Sequence, residues 1–167
     1  MQVDLSGRVA LITGSSRGLG LILARGLGRA GARLILNGRD PERLEETARD
    51  LSAAGIEAWP YAFDITCERD VTAAVDRIED ERGPIEILVN NAGMQHRVPL
   101  EQFPLDEWNK ILATNLTGAF LVGQAVGRKM ISRRRGKIIN ICSLQSDLGR
   151  ETIAPYAASK GGVKMLT

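Results

Sequence analysis

Short apolar runs alternate along the chain with longer segments in which apolar residues recur every three or four positions. The runs predict β-strands and the longer segments predict helices. The strand runs are apolar without alternation, which is typical of strands covered on both faces. Strands that alternate with helices favour a parallel sheet. The pattern therefore predicts an α/β fold, a doubly wound parallel sheet with helices on both faces, in a single domain of residues 1–167.

Five strands and five helices are predicted from these runs. The strands lie at residues 9–12, 33–36, within 57–63, 85–89 and 137–141. The helices lie at residues 18–30, 41–54, from a capping Thr66 onward, 105–132 and from 156 onward. Asp40, followed by a proline, is expected to cap the second helix. In the first helix the spacing puts four apolar side chains on the core face: Leu19, Ile22, Leu23 and Leu27.

Composition and charge exclude several classes of protein. The 167 residues are 44% hydrophobic and 25% charged, as in an ordinary globular domain with a sizeable core. A net charge of +2 is too small to argue for a nucleic acid or membrane partner, and neither is expected. The runs are too short to span a membrane and the start lacks a signal-peptide pattern, so a cytoplasmic location is expected. Cys67 and Cys142 lack metal-ligand spacing, so no metal is expected, and Cys142 is expected to be buried.

A glycine-rich segment joins the first predicted strand to the first helix. It reads Thr-Gly-Ser-Ser-Arg-Gly-Leu-Gly over residues 13–20. Glycine lets the backbone turn sharply and approach a pyrophosphate, whose charge then lies at the helix amino terminus. Ligands of a parallel sheet bind beyond the carboxyl ends of its strands. The segment therefore predicts a dinucleotide site, with a plain strand-turn-helix connection as the alternative.

The residues at the end of the second strand indicate whether NAD or NADP is the expected dinucleotide. Folds that bind NAD place an acidic residue there, about 20 residues after the glycines, to bind the ribose hydroxyls. This chain has Asn37 and Arg39 at that point. Arg39 and Arg17 offer guanidinium groups for a 2′-phosphate, which favours NADP. NAD remains the alternative if Asp40 binds the ribose instead of capping its helix.

Three side chains after the fifth strand form a candidate proton-transfer site. Ser143 follows the strand, and Tyr156 and Lys160 lie four residues apart, on one face of the predicted helix. A nearby ammonium stabilises phenolate and lowers the pKa of a tyrosine. An exposed helical pair is the alternative, since this spacing is common.

These segments, in this order, resemble the short-chain dehydrogenases/reductases. The resemblance covers the whole chain and rests on the turn at residues 13–20, Asp64 after the third strand, Asn-Asn-Ala-Gly at 90–93, Asn115 in the long helix, and the Ser143, Tyr156 and Lys160 set. It implies a Rossmann-like fold and an NAD(P)-dependent oxidoreductase.

Roles for individual residues follow from the resemblance. Tyr156 is expected to be the general acid or base, with Lys160 lowering its pKa and holding the nicotinamide ribose. Ser143 is expected to bind the reacting oxygen, and Asn115 to hold a water in a proton relay. The expected cofactor-binding residues are Gly14, Ser16, Arg17, Gly18, Leu19, Gly20, Asn37, Arg39, Asp64, Ile65, Asn91, Ala92, Gly93, Tyr156 and Lys160. For Asp64, capping a turn is the alternative.

Polar residues near the expected reaction centre suggest a small hydroxylated acid as substrate. The resemblance is strongest to family members that interconvert D-gluconate and 5-dehydro-D-gluconate. The expected substrate residues are Arg97, Ser143, Gln145, Arg150 and Tyr156, with Gln95 and His96 in the same loops. Two alternatives stay open: reduction of a 3-oxoacyl group on a carrier protein, and nucleotide binding without turnover.

Family members extend well beyond this length, so the fold is expected to be cut short after the fifth strand and the start of the following helix. Two further strands and part of the substrate pocket would then be absent, which leaves activity of the 167-residue chain open. The resemblance also implies a homo-oligomer, a dimer or tetramer. Phe120 and Val122 on the long helix would serve either that interface or the core.

Overall fold

A five-stranded parallel sheet lies at the centre of the computed structural model, which describes residues 3–167. The strands are β1 (Val9–Ile12), β2 (Arg33–Gly38), β3 (Ala58–Ala62), β4 (Ile85–Asn90) and β5 (Lys137–Asn140). Their spatial order is β3-β2-β1-β4-β5, and each neighbouring pair is parallel. The predicted doubly wound parallel fold is confirmed.

Six helices connect and cover these strands. They are α1 (Gly18–Arg29), α2 (Pro41–Ala53), α3 (Glu68–Arg82), α4 (Leu105–Leu112), α5 (Gly118–Ser132) and α6 (Ala154–Leu166). A π-helical turn, Ala113–Thr117, joins α4 to α5, so the long helix predicted at 105–132 is continuous but widened at its centre. Short 3₁₀ turns lie at Leu100–Gln102 and Leu144–Ser146. Within residues 3–167, no helix combines the length and apolar character needed to cross a membrane.

Two apolar clusters cover the two faces of the sheet. On one face α3 and α5 pack against β1 and β4, and Val122 of α5 is fully buried there. On the other face α1 and α2 contribute side chains such as Ala24 and Leu44. All four residues of β1 are buried, because this strand lies in the middle of the sheet. Val122 is therefore a core residue, whereas Phe120 is 43% exposed.

The core face of α1 differs from the prediction. Leu19 and Ile22 are 52% and 66% exposed, while Gly20 and Ala24 are buried. A Cβ on Gly20 would lie 2.3 Å from the carbonyl oxygen of Gly14, so α1 approaches the strand ends too closely for a large side chain. Leu23 and Leu27 pack at the edge of the core, as predicted. The close approach of α1 to the Gly14 backbone therefore determines which face of the helix is turned toward the sheet.

Three further expectations were wrong. The cap of α3 is Cys67, and Thr66 instead donates its N–H and its hydroxyl to Asp64. Strand β5 is exposed along most of its length, because in the described residues it lies at one edge of the sheet beside β4 alone. Cys142 lies after this strand and is partly exposed.

Two glycines of α1 give a matched test of this packing. A Cβ on Gly26 meets open space, whereas a Cβ on Gly28 would lie 2.3 Å from Cγ2 of Ile56. We expect Gly26→Ala to stabilise the fold by about 0.5–1 kcal/mol, because alanine favours the helix. Gly28→Ala should destabilise it by about 1–3 kcal/mol through overpacking. Urea unfolding of the two variants measures both effects, and equal shifts would contradict the close contact between α1 and Ile56.

Candidate functional site

A cleft of about 650 Å³ opens at the carboxyl edge of the sheet. Its walls come from the segments that follow β1, β2, β3, β4 and β5, together with α6. All fifteen residues predicted to bind a cofactor lie on this cleft: Gly14, Ser16, Arg17, Gly18, Leu19, Gly20, Asn37, Arg39, Asp64, Ile65, Asn91, Ala92, Gly93, Tyr156 and Lys160. Segments far apart in the chain thus meet in one place, with a volume suited to a small ligand.

The glycine turn after β1 is held by the end of β4. The hydroxyl of Thr13 accepts the N–H groups of Asn91 and Ala92, each at 3.0 Å. The Asn91 amide donates back to the carbonyls of Thr13 and Gly14, at 2.9 and 3.2 Å. Gly14 has a φ of 64°, in the left-handed region that favours glycine. The turn is therefore fixed before any ligand arrives.

The amino terminus of α1 faces this cleft. Gly18 and Leu19, its first two residues, are exposed and line the cleft wall. Within the described chain, the Arg17 side chain at the cap position makes no hydrogen bond to the first turn. Backbone N–H groups there need an acceptor, and the helix dipole favours a negative one. The turn is thus suited to bind a phosphate group.

The end of β2 presents one buried amide and one exposed guanidinium. Asn37 is 1% exposed; its side chain accepts the N–H of Gly14 at 3.4 Å and donates to the Phe63 carbonyl at 3.1 Å. Its amide therefore joins the ends of neighbouring strands. Arg39 is exposed on the cleft rim, as is Arg17 across the turn. Asp40 caps α2, where its carboxylate accepts the Arg43 N–H at 3.1 Å.

Asn115 lies inside the π-helical turn, behind the cleft wall. It is 1% exposed, and its Oδ1 accepts the Met94 N–H at 2.8 Å. Its Nδ2 donates to the Met94 carbonyl at 2.9 Å and to Oγ of Ser159 at 3.1 Å. π-Helical turns occur frequently at functional sites, where they turn a side chain out of the regular helical pattern. Here the turn places one amide between the segment after β4 and helix α6.

Tyr156 and Lys160 meet on α6 beside the cleft. Lys160 is 5% exposed, and its Nζ donates to the Ile141 carbonyl at 2.6 Å. The same Nζ lies 5.9 Å from the centroid of the Tyr156 ring. Burial lowers the pKa of Lys160, and the nearby Cys142 opposes this shift.

The predicted substrate residues are spread more widely than the cofactor residues. Ser143 begins the 3₁₀ turn after β5, where its Oγ accepts the Gln145 N–H at 3.2 Å. Arg97 and Arg150 are exposed on two loops, which are joined by a hydrogen bond from Val98 N–H to the Thr152 carbonyl at 3.0 Å. His96 packs edge-on against Phe103. Of the predicted substrate residues, the structure places Tyr156 alone on the cleft wall.

Comparison with known proteins gives the family. The family model for short chain dehydrogenase matches residues 8–167. The chain is 53% identical, over 164 residues, to 5-keto-D-gluconate 5-reductase of Escherichia coli (strain K12). It is also 53% identical to gluconate 5-dehydrogenase of Gluconobacter oxydans (strain 621H). The chain belongs to the short-chain dehydrogenase family.

A solved structure shows the same fold. It is the gluconate 5-dehydrogenase from Burkholderia cenocepacia J2315 in complex with NADP and tartrate, with a TM-score of 0.96 and 53% identity. The match covers 99% of this short-chain dehydrogenase and 65% of that chain. The two curated relatives are matched over 98% of this chain and over 65% and 64% of their own lengths. The chain thus spans about two thirds of the length of these relatives.

Several cleft residues of this short-chain dehydrogenase were not predicted to bind a ligand. They are Gly38, Phe63, Thr66, Met94, Thr114, Ile141 and Cys142, with Gln95 expected only near the substrate. Most of them directly follow a strand or adjoin a predicted residue. Their position after a strand is therefore the sequence feature that could have identified them as cleft residues. Ser159 was also missed, although it lies three residues after Tyr156 on the same helix. Its connection to the site becomes visible only in the structure, where its hydroxyl accepts a hydrogen bond from Asn115.

The buried Lys160 makes the stability of the fold depend on pH. Its pKa in the folded chain lies below the ordinary 10.5, so between those two values the unfolded chain holds a proton that the folded chain has released. Stability therefore rises with pH across that window and loses this contribution as the pH falls through the folded pKa. We expect Lys160→Met to flatten the dependence of the unfolding free energy on pH in this window, because methionine does not titrate. Urea unfolding over a pH series ending at 10.5 measures it, and unchanged slopes would contradict a depressed lysine pKa.

Proposed function

We propose that this chain carries the cofactor-binding and proton-transfer residues of an NADP-dependent oxidoreductase that interconverts D-gluconate and 5-dehydro-D-gluconate. The observation that carries the proposal is the meeting of Tyr156 and Lys160 with the glycine turn on one cleft. The names of the relatives from Escherichia coli and Gluconobacter oxydans support this substrate pair.

Charge at the cleft rim supports NADP as the cofactor. Arg17 and Arg39 are exposed on either side of the opening, where their guanidinium groups suit a 2′-phosphate. The competing ribose ligand, Asp40, is occupied as the cap of α2. The relative from Burkholderia cenocepacia was solved in complex with NADP. NAD would instead require an acidic group free to meet the ribose hydroxyls.

The geometry of α6 supports a proton-transfer step that uses Tyr156 and Lys160. When bound, the cofactor supplies or accepts a hydride at the C5 carbon of the substrate. In the reductive direction Tyr156 gives its phenolic proton to the C5 oxygen, and Lys160 stabilises the phenolate left behind. Ser143, at the end of β5, is proposed to donate a hydrogen bond to the same oxygen as charge develops. Asn115 is proposed to hold a relay water that returns the proton through Lys160.

The loops above the cleft are proposed to recognise the sugar acid. Arg97 and Arg150 provide guanidinium groups for a carboxylate, a pairing with good bidentate geometry. The Oε1 atom of Gln145 is buried and lacks a partner among the described residues, and a rotation of this side chain is proposed to let it accept a substrate hydroxyl. The hydrogen bond between Val98 and Thr152 brings these two loops together.

The proposal extends to location and assembly. Both cysteines, Cys67 and Cys142, are free thiols, as is usual in the reducing cytoplasm. The partly exposed Phe120 of α5 is proposed to contribute to an interface between identical subunits. Aromatic side chains are enriched at such interfaces.

Removing one phenolic hydroxyl tests the proposed acid. We expect Tyr156→Phe to lower the rate of NADPH oxidation with 5-dehydro-D-gluconate at least ~100-fold, because the proton donor is lost. The dissociation constant for NADPH should stay within about twofold, since binding rests mainly on the turn after β1. Turnover assays and fluorescence titration measure the two quantities.

The chain has two tyrosines, so Tyr61→Phe is the matched control. Its hydroxyl donates to Glu81 far from the cleft, and its removal should leave turnover intact. Equal rates in Tyr156→Phe and the unaltered chain would refute the assigned acid. NADPH binding without turnover in the unaltered chain would favour a nucleotide-binding role. Turnover with a 3-oxoacyl substrate alone would reassign the substrate class.

Cofactor choice is tested at the end of β2. We expect Arg39→Ala to weaken NADPH binding about tenfold or more while leaving NADH binding unchanged, because a charge-assisted hydrogen bond to the 2′-phosphate is lost. Arg43→Ala is the control, as it removes an exposed arginine four residues further on that does not line the cleft. A preference for NADH in the unaltered chain would defeat the assignment of NADP.

A further inference from the structure

Ser159 occupies the junction between α6, the helix that bears Tyr156, and the π-helical turn that contains Asn115. It is fully buried, and its hydroxyl donates to the Tyr156 carbonyl at 2.7 Å. The same oxygen accepts a hydrogen bond from Nδ2 of Asn115 at 3.1 Å. One hydroxyl therefore joins the backbone of Tyr156 to the amide of Asn115.

Asn115 continues this connection to the cleft wall. Both hydrogens of its Nδ2 are used, one on Ser159 and one on the Met94 carbonyl, and its Oδ1 accepts the Met94 N–H. An amide with two donor hydrogens and a carbonyl acceptor fits this arrangement in one orientation only. Met94 lines the cleft. A continuous series of buried hydrogen bonds thus runs from the cleft wall to the carbonyl of Tyr156.

Close packing on either side leaves this junction little freedom to adjust. A Cβ on Gly162 would lie 2.9 Å from Cδ2 of Leu116, so α6 rests directly on the π-helical turn. A Cβ on Gly93 would lie 3.4 Å from Oδ1 of Asn115. With Leu116 packed this closely against α6, another buried group cannot easily take over the hydrogen bond of Ser159.

We propose that Ser159 is a positioning residue, which acts through Asn115 to fix the distance between the Met94 segment of the cleft and Tyr156. Loss of its hydroxyl leaves one N–H of Asn115 buried and unsatisfied, which penalises the closed arrangement. The segment around Met94 then opens more often, and Tyr156 is less well placed for proton transfer. The second consequence rests on the proposed oxidoreductase function, whereas the first does not.

Amide hydrogen exchange of Met94 in the full 167-residue chain tests the structural part. In Ser159→Ala we expect the Met94 amide to exchange about tenfold faster, because the unsatisfied N–H of Asn115 penalises the closed arrangement and raises the population of the open one. Ser132→Ala is the matched control: this serine also donates to the carbonyl three residues earlier, at 2.8 Å, but on an exposed helix end. It should leave Met94 exchange unchanged.

A double variant separates positioning through Asn115 from a local effect on the helix. Asn115→Leu also removes the acceptor of the Met94 N–H, so the double variant is read from urea unfolding. In that background no buried amide depends on the hydroxyl, and adding Ser159→Ala should lower the stability of the fold less than it does alone. An equal loss of stability in both backgrounds would overturn the inference, as would unchanged Met94 exchange in Ser159→Ala alone. If Ser159→Ala does not fold, Ser159→Thr and Ser159→Val provide a pair of equal shape. Slower Met94 exchange with threonine supports the inference, and equal exchange refutes it.

Turnover gives the catalytic part of the test. We expect Ser159→Ala to lower kcat about tenfold with the NADPH dissociation constant within twofold, since the cleft still forms. Unchanged kcat together with faster Met94 exchange would overturn the catalytic consequence and retain the structural connection. Absence of turnover in the unaltered chain counts against the proposed function, while Met94 exchange still decides the inference about Ser159.

Discussion

Burial of the Lys160 ammonium is the constraint on which the carboxyl edge of the sheet depends. At 5% exposure the amine has lost most of its water, so the protein must supply acceptors in place of the solvent. The carbonyl of Ile141, directly after β5, supplies one at 2.6 Å. This bond joins α6 to the segment after β5, and the same helix places Tyr156 on the cleft wall. A neutral side chain would avoid the desolvation, so a lysine here fits a chemical role better than a structural one.

Side-chain amides organise the rest of this edge. Asn37, Asn91 and Asn115 each bond to the backbone of a segment distant in sequence. Asparagine suits this work because one small planar group carries both donors and an acceptor. Their bonds hold the strand ends together without using the N–H groups at the start of α1. The turn after β1 is therefore preorganised for a phosphate, which limits the entropy lost on binding.

Local signals predicted most of the fold and of the cofactor cleft. The limits of β1 and the cap of α2 follow from short-range patterns, and both are confirmed. The errors arise where tertiary contacts decide. Helical periodicity could not show that Gly20 must face the strand ends, which turns Leu19 toward solvent. Nor could it show that Ser159, an ordinary helical serine in sequence, receives a hydrogen bond from a residue 44 positions away.

Different physical conditions govern the two sides of the proposed reaction. The proposed cofactor side is formed by strand ends whose backbone positions are set by the sheet, so short sequence motifs predict that these residues meet at one cleft. The proposed substrate side depends on exposed loops that bear Arg97 and Arg150, whose placement relies on few contacts such as that between Val98 and Thr152. Exposed arginines keep their hydration and rotamer freedom until a ligand orders them. Substrate selectivity in the proposed reaction should therefore depend on how these loops become ordered, whereas the placement of Tyr156 and Lys160 is set beforehand by α6.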